Sequence, residues 1–107
     1  MSFIIRKLFK ESKYLSLETL IKINALDRPP HAYAAYNAAL LAKKLSYEKI
    51  SFIEFGVAKG NGLLYLEKLS ERIENELNIK IEIFGFDTGE GLIHPKDYKD
   101  LPYFFQR

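Results

Sequence analysis

The sequence predicts an α/β fold in which N-terminal helices precede one βαβ unit with parallel strands. Two observations carry that expectation. Residues 50–55 and 79–86 are short and rich in Ile and Phe, as strands are. Between them lie a glycine-rich turn and a stretch with helical periodicity. A strand followed by a helix and a second strand returns the chain in the same direction, which pairs the strands in parallel. The 107 residues suit one small domain.

Residues 3–14 mix Phe3, Ile4, Ile5, Leu8 and Phe9 with Arg6, Lys7, Lys10 and Lys13. Such a basic amphipathic stretch suits either an N-terminal helix packed on its own domain or an anionic membrane surface. Ser16 is a plausible N-cap for a helix running to about Leu26, with Leu17, Leu20 and Ile21 on one face and Glu18 in its first turn. Pro29 and Pro30 break that helix, because proline lacks the N–H that continues it. A second helix is expected from about His31 to Leu45. Its alanines, Ala34, Ala35, Ala38, Ala39 and Ala42, favour helix and allow a neighbour to approach closely.

Residues 50–55 are apolar on both faces apart from Ser51 and Glu54, which reads as a central strand covered on both sides. The turn from Gly56 to Gly62 then opens a third helix, where Leu66, Leu69, Ile73 and Leu77 recur at spacings of three and four. Asn78 is expected to close it. Residues 79–86 alternate, with Ile79, Ile81 and Ile83 on one face and Lys80, Glu82 and Phe84 on the other. The turn-rich loop from Asp87 to Gly91 follows. Boundaries are drawn at 1–45 for a helical cap and 46–107 for the strand-bearing unit, within one structural domain.

Composition excludes several classes. Hydrophobic residues make up 48% and charged residues 28%, the balance of a globular chain and not of a disordered one. A net charge of +2, with basic and acidic residues interleaved, argues against a nucleic-acid partner, which needs Lys and Arg gathered on one face. With no cysteine, disulfides and thiolate metal sites are ruled out. No apolar run reaches the length of a membrane span, and the short apolar start does not read as a secretory signal. The default expectation is cytoplasmic.

The candidate site is the span Glu54-Phe55-Gly56-Val57-Ala58-Lys59-Gly60-Asn61-Gly62. It lies at the carboxyl end of a parallel strand, where open α/β sheets bind their ligands. Bare backbone there allows close approach, and the amides opening the next helix offer donors to an anionic group. A P-loop would need Gly at 61 and Lys at 62, where Asn61 and Gly62 stand. The dinucleotide fingerprint, with glycines at relative positions 0, 2 and 5, fails from Gly56 (Ala58, Asn61) and from Gly60 (Tyr65).

The segment resembles the first motif of class I S-adenosylmethionine-dependent methyltransferases, acidic-x-Gly-x-Gly/Ala-x-Gly. Glu54, Gly56, Ala58 and Gly60 occupy its positions, and Gly62 follows. The resemblance continues at the second strand, where the family places an acid that holds both ribose hydroxyls of the methyl donor and where Asp87 stands, followed by Thr88. Ile-Phe-Gly-Phe-Asp-Thr followed by Gly-Glu-Gly-Leu looks most like small-molecule methyltransferases of the macrocin O-methyltransferase type. The resemblance spans residues 46–92.

It implies a partial Rossmann-like fold, S-adenosylmethionine as cofactor and a small-molecule methyl acceptor. Gly56, Ala58 and Gly60 would lie against the methionine portion of the donor. Glu54 would anchor the loop or reach the donor's ammonium, and Asp87 would hold the ribose. Because the family's sheet has seven strands and this sequence supplies two, the expectation is a fragment. Donor binding would then be weak, methyl transfer by the chain alone absent, and self-association through an open sheet edge possible.

Plainer readings compete at each position. Three glycines alone can make a tight strand-to-helix turn, and Asp87 alone can form a turn. His31 suits a surface position in the first turn of its helix. His94, Asp97 and Asp100 have the composition of a metal site, magnesium being used by some relatives of this type, but a solvated loop has the same composition. Tyr33, Tyr36 and Tyr65 suit the core or its rim. Two other classes stay open: a nicotinamide-dependent oxidoreductase built on the same βαβ unit, and a non-catalytic interaction module or membrane-surface scaffold.

Overall fold

A computed structural model describes Ile4, Lys7, Leu8 and residues 14–91. The basic stretch of residues 3–14 and the candidate ligands His94, Asp97 and Asp100 lie wholly or largely outside the described residues. Helix α1 (Leu17–Lys22) begins at Ser16, whose hydroxyl accepts the Thr19 N–H at 3.2 Å. It ends four residues before the expected Leu26. Asn24 adopts a left-handed φ of 55°, and the Ala25 N–H donates back to the Leu20 carbonyl at 2.9 Å. That six-to-one bond, with Asn24 N–H to Ile21 O inside it, is a Schellman stop. Periodicity runs past such a stop, so the apolar Ala25 and Leu26 continue the core without continuing the helix.

Helix α2 (Pro29–Lys44) starts two residues earlier than expected, because Pro29 and Pro30 fill its first turn, where no intrahelical N–H is needed. Ala32, Ala35, Ala39 and Ala42 are buried along one stripe, which lets α2 approach its neighbours closely. Ser46, at φ 64°, ends it by a second Schellman stop, with Tyr47 N–H donating to Ala42 O at 2.9 Å.

Strands β1 (Lys49–Phe55) and β2 (Lys80–Phe86) form one parallel pair, in register from Lys49 with Lys80 to Phe55 with Phe86. Helix α3 (Asn61–Leu77) connects them, and Asn78 closes it in a left-handed conformation, as the sequence predicts. The described chain is therefore α/β, with helices and two parallel strands.

The cap and the βαβ unit share one core, in which Leu17, Leu20 and Ile73 are fully enclosed. Burying a side chain of that size contributes about 1.5–3 kcal/mol. Polar ties fix the docking. The Leu17 N–H, unpartnered within α1, donates to both oxygens of Glu76 at 3.0 and 2.9 Å, and Arg72 donates to the Leu15 carbonyl.

One expectation is corrected here. Among the described residues, β1 is covered on one face only. Ile50, Phe52, Ile81 and Ile83 are buried or half-buried toward α3, whereas Ile53, Phe55, Phe84 and Phe86 on the opposite face are exposed. Apolar residues on both faces of a strand report what the strand can bury, and here only one side is met.

Candidate functional site

The site forms where both strands end. The Gly56 N–H donates to the Phe86 carbonyl at 2.8 Å, extending the ladder one step past β1. The chain then turns back, with Gly60 N–H donating to Val57 O at 2.9 Å. Gly60 is the N-cap of α3 at φ 87°, a conformation an L side chain resists, and a Cβ there would meet open space. Backbone conformation, not crowding, requires glycine at 60. Ala58, in the motif slot that accepts Gly or Ala, is also left-handed at φ 50°.

Asp87, one residue past β2, joins the two loops. Its Oδ2 accepts the Ala58 N–H at 2.9 Å, and its Oδ1 accepts the Gly89 N–H at 2.8 Å. These bonds, Gly89's the stronger influence and Ala58's next, hold the Asp87 carboxyl below the usual carboxylate range. The acid is thus ionised at neutral pH and bound to the glycine-rich loop. Thr88 Oγ1 accepts the Glu90 N–H at 3.2 Å, shaping the turn beyond it.

Glu54 turns away from this cleft, toward the start of α3. A Cβ at Gly62 would lie 2.7 Å from Glu54 Oε1, so glycine at 62 is what lets the carboxylate pack beneath the helix. Arg28 Nη1, from the cap, approaches the same point at 3.6 Å. Glu54 Oε2 is buried with no hydrogen-bond partner among the described residues. Glu54 thus packs beneath the loop and is not among the residues lining the cleft.

The cleft has a volume of about 750 Å³. Four of the seven residues singled out from sequence line it: Gly56, Ala58, Asp87 and Thr88. Glu54, Gly60 and Gly62 shape the joint behind it. Lys59, Gly89 and Gly91 line it as well, as do Phe55 and Phe86, whose rings stack with centroids 5.5 Å apart and planes 21° from parallel. Sequence reasoning missed these two phenylalanines. Each is the last residue of its strand on the same pleat face, and the alternation that puts Ile50 and Phe52 toward α3 puts Phe55 on the other side.

His31 sits in the first turn of α2, exposed and outside the cleft lining. Tyr36 is buried in the core, Tyr33 is exposed, and Tyr65 donates its hydroxyl to the Asp27 carbonyl at the joint between cap and α3. Among the described residues no cluster of three His, Cys, Asp or Glu could hold a metal ion, and no helix is long and apolar enough to cross a membrane. No protein-family model, curated protein or solved structure matches the chain.

Proposed function

We propose that residues 49–91 form the S-adenosylmethionine-binding unit of a methyltransferase acting on a small molecule. One observation carries the reading. The acid after β2 and the glycine-rich loop after β1, residues 29 positions apart, are hydrogen-bonded across the mouth of a single cleft. Any Asp can turn the chain into Gly89; the second bond, to Ala58 across 29 residues, is what ties the two loops together at the cleft.

The residues fit the donor. Each carboxylate oxygen has two lone pairs, and the amides of Ala58 and Gly89 take one from each, which leaves Asp87 able to accept both hydroxyls of a vicinal diol. The cleft volume falls within the range of about 300–1,000 Å³ usual for small-molecule sites. Gly56 and Ala58 present little side chain to the methionine portion, and Gly60 sets the turn that brings them there. When bound, the donor supplies an electrophilic sulfonium methyl. The chain's own part is to hold and orient it, and orientation alone can supply much of the acceleration of a displacement. No residue is assigned as base.

A non-catalytic interaction module has one observation in its favour, the exposed sheet face of Ile53, Phe55, Phe84 and Phe86. It leaves the Asp87–Ala58 link without a purpose. An oxidoreductase on the same unit is opposed by the glycine spacing. Calorimetric titration decides among them. The expected result is weak, saturable binding of S-adenosylhomocysteine, lost in Asp87→Ala, with none of NAD. Binding of NAD without the homocysteine compound would overturn the proposal.

A further inference from the structure

We infer that residues 3–14 seat the chain on an anionic lipid surface, independently of what the cleft binds. The sequence of this stretch leaves two readings open, packing on its own domain or lying on a membrane, and burial separates them. Ile4, Lys7 and Leu8 are helical. Ile4 and Leu8, four residues apart and so on one face, are 71% and 66% exposed. An apolar face packed on its own domain would be covered, yet among the described residues the core begins at Leu15.

Charge indicates what meets that face. Residues 1–14 hold Arg6, Lys7, Lys10 and Lys13 against Glu11, a net side-chain charge of +3. Residues 15–107 hold twelve basic and thirteen acidic side chains, a net charge of −1. The whole positive excess of the chain therefore lies in the stretch that carries the bare apolar face. At helical spacing Ile4, Ile5, Leu8 and Phe9 fall within one arc, and Arg6, Lys10 and Lys13 fall in the opposite one. That division suits a bilayer interface, where apolar side chains enter the acyl boundary while cations stay among the phosphates. Cations recurring at spacings of three keep the stretch in the surface plane and out of the acyl core. A nucleic acid would neutralise the cations but leave Ile4 and Leu8 in water.

The test uses the full chain and vesicles of equal parts phosphatidylglycerol and phosphatidylcholine. Co-sedimentation should show binding at physiological salt, largely lost when the salt is raised several-fold and much weaker on vesicles of phosphatidylcholine alone. Lys7→Gln should weaken it about fivefold, the worth of one cation at an anionic surface. Leu8→Gln should weaken it about tenfold through lost apolar burial. Leu41→Gln, at an exposed leucine of α2, should leave it unchanged. The chain contains no tryptophan, so Ile4→Trp introduces a single fluorescent reporter whose emission should shift to the blue when vesicles are added. Each substituted side chain is exposed, so urea denaturation should show the fold unaltered in every variant. No binding to the mixed vesicles, equal binding to both kinds, or binding that ignores Leu8→Gln would overturn the inference. So would self-association in vesicle-free solution that Leu8→Gln abolishes, which would make a second copy of the chain the partner of this face.

Discussion

The two faces of the β1–β2 pair are built from the same kinds of residue and meet opposite fates. On the face met by α2 and α3, Ile81 belongs to the buried core and Ile50, Phe52 and Ile83 pack against that core. On the other face Ile53, Phe55, Phe84 and Phe86 remain between 44% and 79% exposed. Hydrophobicity alone therefore does not distinguish a residue that holds the fold from one that awaits a contact. Position relative to α3 does.

Breaking the packed face should cost most. Ile73→Ala removes a fully buried side chain from the centre of the shared core, and urea denaturation should show a loss of about 2–5 kcal/mol. Ile53→Ala, on the bare face, should change stability by no more than about 0.5 kcal/mol. Equal losses at the two positions would show that Ile53 is packed in solution and would erase the contrast.

Next in size is the joint that connects core and cleft. Gly62→Ala drives a methyl group against Glu54 Oε1, the movable end of a side chain that must swing aside, and should cost about 1 kcal/mol. Glu54→Ala should relieve that clash, so the double variant should be more stable than the sum of the single losses implies. Additive losses would place the Glu54 carboxylate elsewhere.

A smaller, pH-dependent effect belongs to Asp87. Its pKa is depressed in the folded chain, chiefly by the Gly89 and Ala58 amides. The stability it contributes is therefore complete above its unfolded-state pKa and lost as pH falls through the lower folded value. Acid titration followed through the Ala58 and Gly89 amide resonances should show both released together below the ordinary carboxylate range. Asp87→Asn should abolish the step. Smallest of all, Lys49→Ala breaks an exposed ion pair with Glu82 and should change stability by about 0–1 kcal/mol.

Much of this organisation was legible from local chemistry. Asn78 stops α3 because asparagine tolerates the left-handed conformation, and the two apolar segments pair in parallel as the intervening helix requires. The end of α1 was not legible, because Ala25 and Leu26 keep the apolar pattern going after Asn24 has turned the chain. The one-sided sheet was equally hidden, since a residue's character does not reveal whether a helix arrives to cover it. Within the candidate site, the motif identified the loop and Asp87. It did not reveal that Glu54 packs behind Gly62 or that Phe55 and Phe86 wall the cleft. Those facts depend on strand register, which single positions do not carry.

Amide resonance mapping of the whole chain during titration with S-adenosylhomocysteine tests the central claim most directly. The amides of Gly56, Ala58, Gly60 and Gly89 should shift together and saturate at one ligand per chain, while the Leu17 and Ile73 amides of the core stay in place. Saturable shifts confined to another surface, or none up to the solubility limit of the ligand, would contradict it.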